Sequence, residues 1–319
     1  MKIITFDDIK NLNIRPEVCY QWVSEMIEKK KQANLPAKIS LKPMDGVFCN
    51  VMPCIIPFEK DSKIGGVKIV TRYPERVPSL DSLLLLMDVQ TGEVLAIMDA
   101  DWITAMRTGA VAAHSIRLFA KKGFSKITMI GLGNTARSTL LILEALYPNK
   151  IFDIKLLKHK EQEVDFAKRF SMYPNLRFSF VDKVEDAIKG ADVVISGVTY
   201  FDKDICPDSC FDEGVLVVPI HTRGFTNCDL FFDKIYADDY AHVCNFKNFN
   251  KFKKFAEVSD VVNGLAVGRE NDQERILAYN IGIAIHDMNF AMHAYRLIAD
   301  SNKKLLDIDL KAPSEKFWI

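Results

Sequence analysis

The stretch KITMIGLGNTA, residues 126–136, decides the fold of this chain. Its first five residues suit a buried strand, and the residues that follow it have the apolar spacing of a helix. Gly131, Gly133 and Ala136 form the G-x-G-x-x-A pattern of a dinucleotide-binding turn. In such a turn the backbone approaches a pyrophosphate at the N-terminus of a helix. The predicted cofactor contacts are Gly131, Gly133, Asn134, Thr135 and Ala136.

The sequence after this turn alternates between strand and helix patterns. Short apolar runs at 152–159, 176–181, 191–198, 215–220 and 234–239 are separated by stretches with helical spacing. Such alternation is typical of a doubly wound parallel sheet, so we predict an α/β protein with a Rossmann domain. The segment 272–300 predicts one long helix that packs back on the N-terminal domain.

The N-terminal third has a different pattern. Residues 17–31 predict a helix, and residues 101–122, rich in alanine and followed by a glycine, predict a longer one. Strand-like runs lie between these helices at 47–52, 66–72, 82–88 and 93–99. They predict a small, mainly antiparallel sheet. A length of 319 residues favours two domains, or one discontinuous domain with an insertion.

The composition excludes several classes of protein. Forty-two basic residues balance 42 acidic ones, so no net charge favours a nucleic acid or an anionic membrane as partner. The sequence contains neither a long apolar run nor an N-terminal signal-peptide core, and we expect a cytoplasmic protein. Seven scattered cysteines favour reduced thiols, and the isolated pair Cys206 and Cys210 predicts no metal site.

The end of the second strand in the alternating region bears on the choice of cofactor. An acid there binds the free ribose of NAD, whereas a cation binds the 2′-phosphate of NADP. The strand ends in Lys158, His159 and Lys160, while Asp153 lies at its start, too far from the ribose. We therefore predict NADP rather than NAD, with Lys158 and His159 as contacts; the alternative is that these lysines form a solvated loop. Two further contacts are predicted at the carboxyl edge of the same sheet, Gly197 and Thr199.

Five segments of the chain resemble the ornithine cyclodeaminase/μ-crystallin family. They are GGVKIVTRYPERVP (65–78), the stretch 83–123 that contains MDVQTGEVLAIMDADWITAMRTGA, the GLGNTA loop, ADVVISGVT (191–199) and the stretch 260–288. The resemblance covers nearly the whole chain. It implies a Rossmann domain, 121–287, inserted in a discontinuous α+β domain, 1–120 plus 288–319, that binds substrate and dimerises. It also implies a homodimer.

The resemblance further implies where a small amino or imino acid binds. In enzymes of this family, basic residues hold the α-carboxylate beside the nicotinamide. Lys68, in GVKIV, matches the family lysine, and Arg107, in TAMRTGA, matches the family arginine. Lys38 lies where many members have an arginine, so it keeps the positive charge and loses the two parallel N–H donors of a guanidinium.

Residue chemistry agrees for Arg107, because an arginine among apolar helix residues is costly to bury unless an anion meets it. The alternatives are a structural ion pair for Arg107 and solvated strand lysines.

The chain departs from the family pattern after the run VLVVPI. Cyclodeaminases and some dehydrogenases of the family carry an aspartate in the loop that follows, and this sequence has His221 at that position. The substitution argues against ornithine cyclisation. A histidine can still act as a general acid or base near neutral pH, so we expect His221 to move the proton; the alternative is an ordinary loop histidine.

These observations predict an NAD(P)-dependent oxidoreductase that transfers hydride at the α-carbon of a small amino or imino acid. Lys68, Arg107 and His221 are its predicted catalytic residues, and Lys38, Lys68 and Arg107 its predicted substrate contacts. Two alternatives stay open. One is a cyclodeaminase that releases ammonia and recycles its NAD, and the other is a crystallin-like NADP-binding protein without catalysis.

Overall fold

A computed structural model describes residues 1–59, 62–198, 204–220, 225–301, 303–309 and 315–316. The chain forms two compact units. Unit 1 comprises Met1–Ile14, Gln32–Ile103 and Asp287–Ile319, and unit 2 comprises Arg15–Lys31 and Thr104–His286.

Helices and strands occur in both units. The helices of the described residues are α1 (Phe6–Lys10), α2 (Pro16–Glu28), α3 (Asp101–Phe119), α4 (Asn134–Leu146), α5 (Gln162–Arg169), α6 (Val184–Ile188), α7 (Cys228–Phe231), α8 (Tyr240–Val243), α9 (Val258–Val262) and α10 (Ala284–Asp300). The strands are β1 (Lys2–Ile4), β2 (Ile39–Leu41), β3 (Phe48–Pro57), β4 (Lys63–Arg72), β5 (Leu80–Asp88), β6 (Val94–Asp99), β7 (Lys126–Ile130), β8 (Phe152–Leu157), β9 (Leu176–Val181), β10 (Val193–Ser196), β11 (Leu216–Pro219), β12 (Lys234–Ala237), β13 (Phe255–Glu257), β14 (Ile276–Tyr279) and β15 (Leu306–Asp307). None of these helices is long and apolar enough to cross a membrane.

Unit 1 is built on one sheet, in the order β15-β1-β6-β5-β4-β3-β2. All neighbours are antiparallel except β1 and β6, which are parallel. The predicted antiparallel sheet is therefore present, and its strands β3 and β4 are longer than the sequence pattern indicated.

Alternation along the strands of unit 1 decides which side chains enter its core. Met52, Lys68 and Leu84 lie opposite one another on β3, β4 and β5. All three are buried, whereas their strand neighbours Ile69, after Lys68, and Leu83, before Leu84, are exposed. Because successive residues of a strand point to opposite faces, the fold places a lysine on the buried face of this sheet.

Unit 2 contains a fully parallel sheet, in the order β13-β12-β14-β11-β10-β7-β8-β9. The chain starts at β7, moves outward through β8 and β9, and then returns to the other side of β7 with β10 and β11. The order therefore reverses between β7 and β10, which is where open α/β sheets bind ligands, outside the carboxyl ends of the strands. The predicted fold class is confirmed.

Residues 272–300 were predicted as one helix, and this is wrong for their first part. The run ILAY forms β14, which is buried between β11 and β12, and α10 begins only at Ala284. A strand buried on both faces is apolar at every position, so its sequence lacks the alternation that distinguishes a strand from a helix. The short strand β13 was also missed, because three residues carry no periodic signal.

The compact units differ from the domain boundaries expected from the sequence. Unit 2 includes 15–31 and 104–120, and unit 1 begins its last segment at Asp287. Helix α2 packs on α4 and α9 of unit 2, which explains why it belongs to that unit. The functional division into 1–120 plus 288–319 and 121–287 stays a prediction.

Candidate active site

The turn from β7 into α4 has the geometry that a dinucleotide requires. Gly131 has a φ of +79°, and a Cβ there would lie 2.8 Å from the carbonyl carbon of Gly197. The loops after β7 and β10 therefore touch at a point that no side chain could occupy. At Gly133, a Cβ would have nothing within 4 Å, and Gly133 is the N-cap residue of the 13-residue helix α4. The open space at this helix N-terminus fits a pyrophosphate.

The other predicted contacts of the turn differ in exposure. Asn134 is exposed and Thr135 is half-buried, so both can meet a cofactor. Ala136 is fully buried, and a Cβ at Gly197 would lie 3.5 Å from its methyl group. This is the close helix–strand packing for which the pattern requires a small residue.

The strand β8 ends as the sequence indicated, with Lys158, His159 and Lys160 exposed beyond it and Asp153 near its start. The Lys158 Nζ lies 3.0 Å from the Asp182 carboxylate, and both side chains are exposed. The backbone N–H of His159 donates to the Glu163 carboxylate at 3.1 Å. An exposed ion pair is worth about 0–1 kcal/mol, so an anionic ligand can draw Lys158 away from Asp182.

Arg107 lies on α3 and is only 6% exposed. Its guanidinium lies against Gly282, the residue with a φ of +88° between β14 and α10. The Gly282 N–H donates to Asp238 Oδ2 at 2.6 Å, so the carboxyl end of β12 fixes the backbone beside Arg107. The expected burial of Arg107 is observed, whereas the roles of Gly282 and Asp238 beside it could not be read from the sequence.

Helix α3 is held directly against the dinucleotide helix α4. A Cβ at Gly109 would lie 2.5 Å from Ser138 Oγ and 2.6 Å from the backbone of α4, and Ser138 Oγ donates to the carbonyl of Ala105 at 2.7 Å. Since Gly109 is two residues from Arg107, this contact fixes the part of α3 that carries the arginine relative to the dinucleotide turn within unit 2.

Lys68 is completely buried in unit 1 and pairs with Asp287 of α10. The Lys68 Nζ lies 2.7 Å from Asp287 Oδ1, and neither side chain is exposed. The sequence prediction included Lys68 and missed Asp287. The only signal for Asp287 was an acid among apolar residues in the stretch GIAIHDM, at the start of a helix.

Lys38 lies directly before β2 and is half-buried. Ile39 pairs with Val51, so continuing the register by one residue places Lys38 opposite Met52. Met52 in turn pairs with Lys68. Because neighbouring strands lie about 4.8 Å apart, such an extension of the register would put Lys38 roughly 10 Å from Lys68.

Two predicted residues, Thr199 and His221, lie outside the described residues. The strands that precede them, β10 and β11, are neighbours, and the Ile220 N–H donates to the Ser196 carbonyl at 2.8 Å. In the part of the chain that the structure describes, no group of three or more His, Cys, Asp or Glu is arranged to hold a metal ion.

The fold and site together define an α/β protein with a dinucleotide-binding parallel sheet and a buried arginine beside its nucleotide-binding helix. The family model for the ornithine cyclodeaminase/mu-crystallin family matches residues 5–302, and the chain belongs to this family. The resemblance predicted from the sequence is thereby confirmed.

Three known proteins show what the chain is similar to. N-((2S)-2-amino-2-carboxyethyl)-L-glutamate dehydrogenase of Staphylococcus aureus is 27% identical over 240 residues, 69% of this chain and 69% of that protein. The structure of Thermococcus litoralis Δ1-pyrroline-2-carboxylate reductase with NADH and L-proline has a TM-score of 0.82 at 22% identity, and the match covers 97% of this chain and 100% of that one. An archaeal alanine dehydrogenase dimer with bound NAD has a TM-score of 0.83 at 22% identity, with 97% and 99% covered. The two structures support the fold.

Proposed function

We propose that this protein is an NAD(P)-dependent oxidoreductase that acts on a small amino or imino acid, as an imine reductase or an amino-acid dehydrogenase. The observation that carries the proposal is the buried Arg107 on α3, packed through Gly109 against the helix that follows the open dinucleotide turn. A guanidinium at a cofactor site can bind a carboxylate through two parallel hydrogen bonds, which favours an anionic substrate. The predicted class agrees with the Staphylococcus aureus dehydrogenase and the Thermococcus litoralis pyrroline-2-carboxylate reductase described above.

The basic residues have distinct roles in this proposal. Arg107 binds the α-carboxylate, because its planar guanidinium matches the two oxygens. Lys68 supplies a second positive charge, and Lys38, directly before β2, supplies a third. His221 gives a proton to the nitrogen during reduction and takes it back in the reverse reaction.

The dinucleotide turn holds the cofactor through its backbone, because Gly131, Gly133 and Gly197 allow close approach. Asn134 and Thr135, at the start of α4, are two further proposed contacts. When bound, the nicotinamide supplies or accepts the hydride. We propose that NADP binds more tightly than NAD, because Lys158 and His159 are exposed beyond β8, where the 2′-phosphate lies in this fold. Thr199, after β10, is a further proposed contact.

We also propose a cytoplasmic homodimer formed through the face of the unit 1 sheet opposite Lys68. The register places Ile39, Val51, Ile69 and Leu83 in one row across β2–β5. Ile39, Ile69 and Leu83 are between 40% and 57% exposed. Single exposed apolar residues are common, but a continuous apolar row marks an interaction surface. A second copy of the chain is the proposed occupant, in agreement with the archaeal alanine dehydrogenase, which is a dimer.

An absorbance assay tests the proposed reaction. The purified protein is mixed with NADPH or NADH, ammonia or methylamine, and a panel of 2-oxo acids and cyclic imines. We expect oxidation of the reduced cofactor with at least one substrate, and a loss of at least 100-fold in kcat/KM for Arg107→Ala. Ammonia release from ornithine without net cofactor change would instead indicate a cyclodeaminase. A panel without turnover but with tight cofactor binding would indicate a non-catalytic binding protein.

A further inference from the structure

The Lys68 ammonium lies among buried, apolar residues of unit 1. Its strand neighbours Met52 and Leu84 are buried and apolar, and Lys68 itself has no exposed surface. An isolated charge in such surroundings is strongly destabilising, and a paired charge is tolerated only where the partner is close and well oriented. Asp287 meets this condition, with its Oδ1 at 2.7 Å from the Lys68 Nζ.

Gly66 explains how helix α10 comes close enough to make this contact. It lies two residues before Lys68 on β4 and therefore shares its face of the sheet. A Cβ at Gly66 would lie 3.0 Å from the Met288 Sδ and 2.0 Å from the Leu85 carbonyl oxygen, so no side chain fits there. The absence of a side chain lets Met288, the neighbour of Asp287, pack on the strand.

Two features of the structure favour the ionised form of the Asp287 carboxyl group. Asp287 lies in the first turn of α10, where the helix dipole favours an anion, and the ammonium of Lys68 favours the same state. The thiol of Cys54, on β3, lies near Asp287, but it is not a second anionic partner for the Lys68 ammonium. Burial, with a smaller contribution from the negative charge of Asp287, raises the pKa of Cys54 to about 12.

We propose that Asp287 is the positioning residue of Lys68, and that it keeps this lysine a permanent ammonium. The inference rests on the proposed substrate role of Lys68. The 2.7 Å contact with Asp287 fixes the position and orientation of the Lys68 ammonium. A lysine held in this state binds the substrate carboxylate as a charge and a donor. It does not act as the amine that forms a Schiff base with a 2-oxo acid, since that reaction requires the neutral form.

A double-mutant cycle separates positioning from general support of the fold. The variants are Asp287→Asn, Lys68→Met and their combination, which replaces the charged pair by neutral side chains of similar size. The matched control is Glu274→Gln, because Glu274 lies 2.8 Å from Lys234, another ammonium that is only 3% exposed. We expect Asp287→Asn to raise KM for the oxo or imino acid about 10- to 100-fold with unchanged Kd for NAD(P)H, and Glu274→Gln to change neither. In the Lys68→Met background, Asp287→Asn should cause no further loss.

The outcomes distinguish the inference from the proposed function. If Lys68→Met retains full activity, Lys68 does not bind substrate, and both statements about it are wrong. If Lys68→Met is impaired and Asp287→Asn lowers activity by the same factor with or without Lys68, Asp287 only supports the fold and the inference is overturned. A separate measurement needs no variant: borohydride is added to the parent protein with the active 2-oxo acid, and mass spectrometry detects any adduct. An adduct on Lys68 would overturn the permanent ammonium, whereas an unmodified Lys68 supports it even if Asp287→Asn does not fold.

Discussion

The α-carbon of Gly282 lies against the guanidinium of Arg107, so closely that a methyl group there would be 2.8 Å from Nη1 and 3.4 Å from Nη2. The same glycine has a φ of +88° and donates its N–H to Asp238. A backbone conformation that suits glycine and a contact that excludes a side chain thus coincide at one residue. The bend between β14 and α10 defines where the proposed carboxylate-binding group lies.

Gly282→Ala should therefore impair substrate binding more than stability. The new methyl group must displace the guanidinium, and we expect KM for the substrate to rise about 10- to 100-fold, in keeping with a lost charge-assisted hydrogen bond. The left-handed backbone alone costs about 1–2 kcal/mol with any side chain. Gly190→Ala is the matched control, because Gly190 has a φ of +77° and nothing within 4 Å of its added Cβ. Equal KM changes in the two variants would contradict the steric explanation.

Cofactor choice should depend on the end of β8. Replacing Lys158 by alanine is expected to weaken NADPH binding about 5- to 30-fold and to leave NADH binding nearly unchanged, because only NADPH carries the 2′-phosphate. The exposed Asp182 loses only a surface ion pair, so stability should hardly change. Lys254→Ala, at another exposed lysine, is the control. Fluorescence titration of both reduced cofactors measures the effect, and tighter binding of NADH by the parent protein would refute the predicted preference.

The proposed dimer surface can be tested by charge. Ile69→Lys places a cation in the middle of the apolar row on the unit 1 sheet, opposite a second copy's row if the dimer forms there. We expect the mass measured by light scattering to fall from about 72 kDa to the 36.2 kDa of one chain. Met172→Lys changes another apolar and even more exposed residue, in unit 2, and it should leave the mass unchanged. A parent protein that is already monomeric would contradict the assembly.

Local patterns predicted much of this molecule, and contacts between distant residues explain the rest. The dinucleotide turn could be predicted because one strand, two glycines and a helix start lie within 11 residues. The burial of Arg107 followed from its apolar helix neighbours. The pairing of Lys68 with Asp287 joins residues 219 positions apart, and no periodicity encodes it. Strand β14 was missed for a related reason: its burial between β11 and β12 is a property of the assembled sheet, and the run ILAY suits a helix equally well.

A buried acid of unit 2 gives the last prediction, which concerns stability. Asp229 is 2% exposed and accepts a hydrogen bond from Tyr279 Oη at 2.8 Å. Burial raises the pKa of Asp229 to about 6, against the opposing effect of hydrogen bonds from Tyr279 and Asn248. Since this value lies above the ordinary 3.8, the folded protein holds a proton between about pH 4 and 6 that the unfolded chain releases. The free energy of unfolding should therefore fall as the pH rises through this window, by up to about 3 kcal/mol.

The variant Asp229→Asn tests this prediction, because it keeps an acceptor for Tyr279 and removes the titration. Urea unfolding measures the free energy of unfolding of both proteins. The difference between them should favour the parent at pH 4 and decline towards pH 6. Asp153→Asn, at an exposed aspartate of the same sheet, is the matched control. A difference between parent and Asp229→Asn that does not vary with pH would show that Asp229 is ionised in the folded protein throughout.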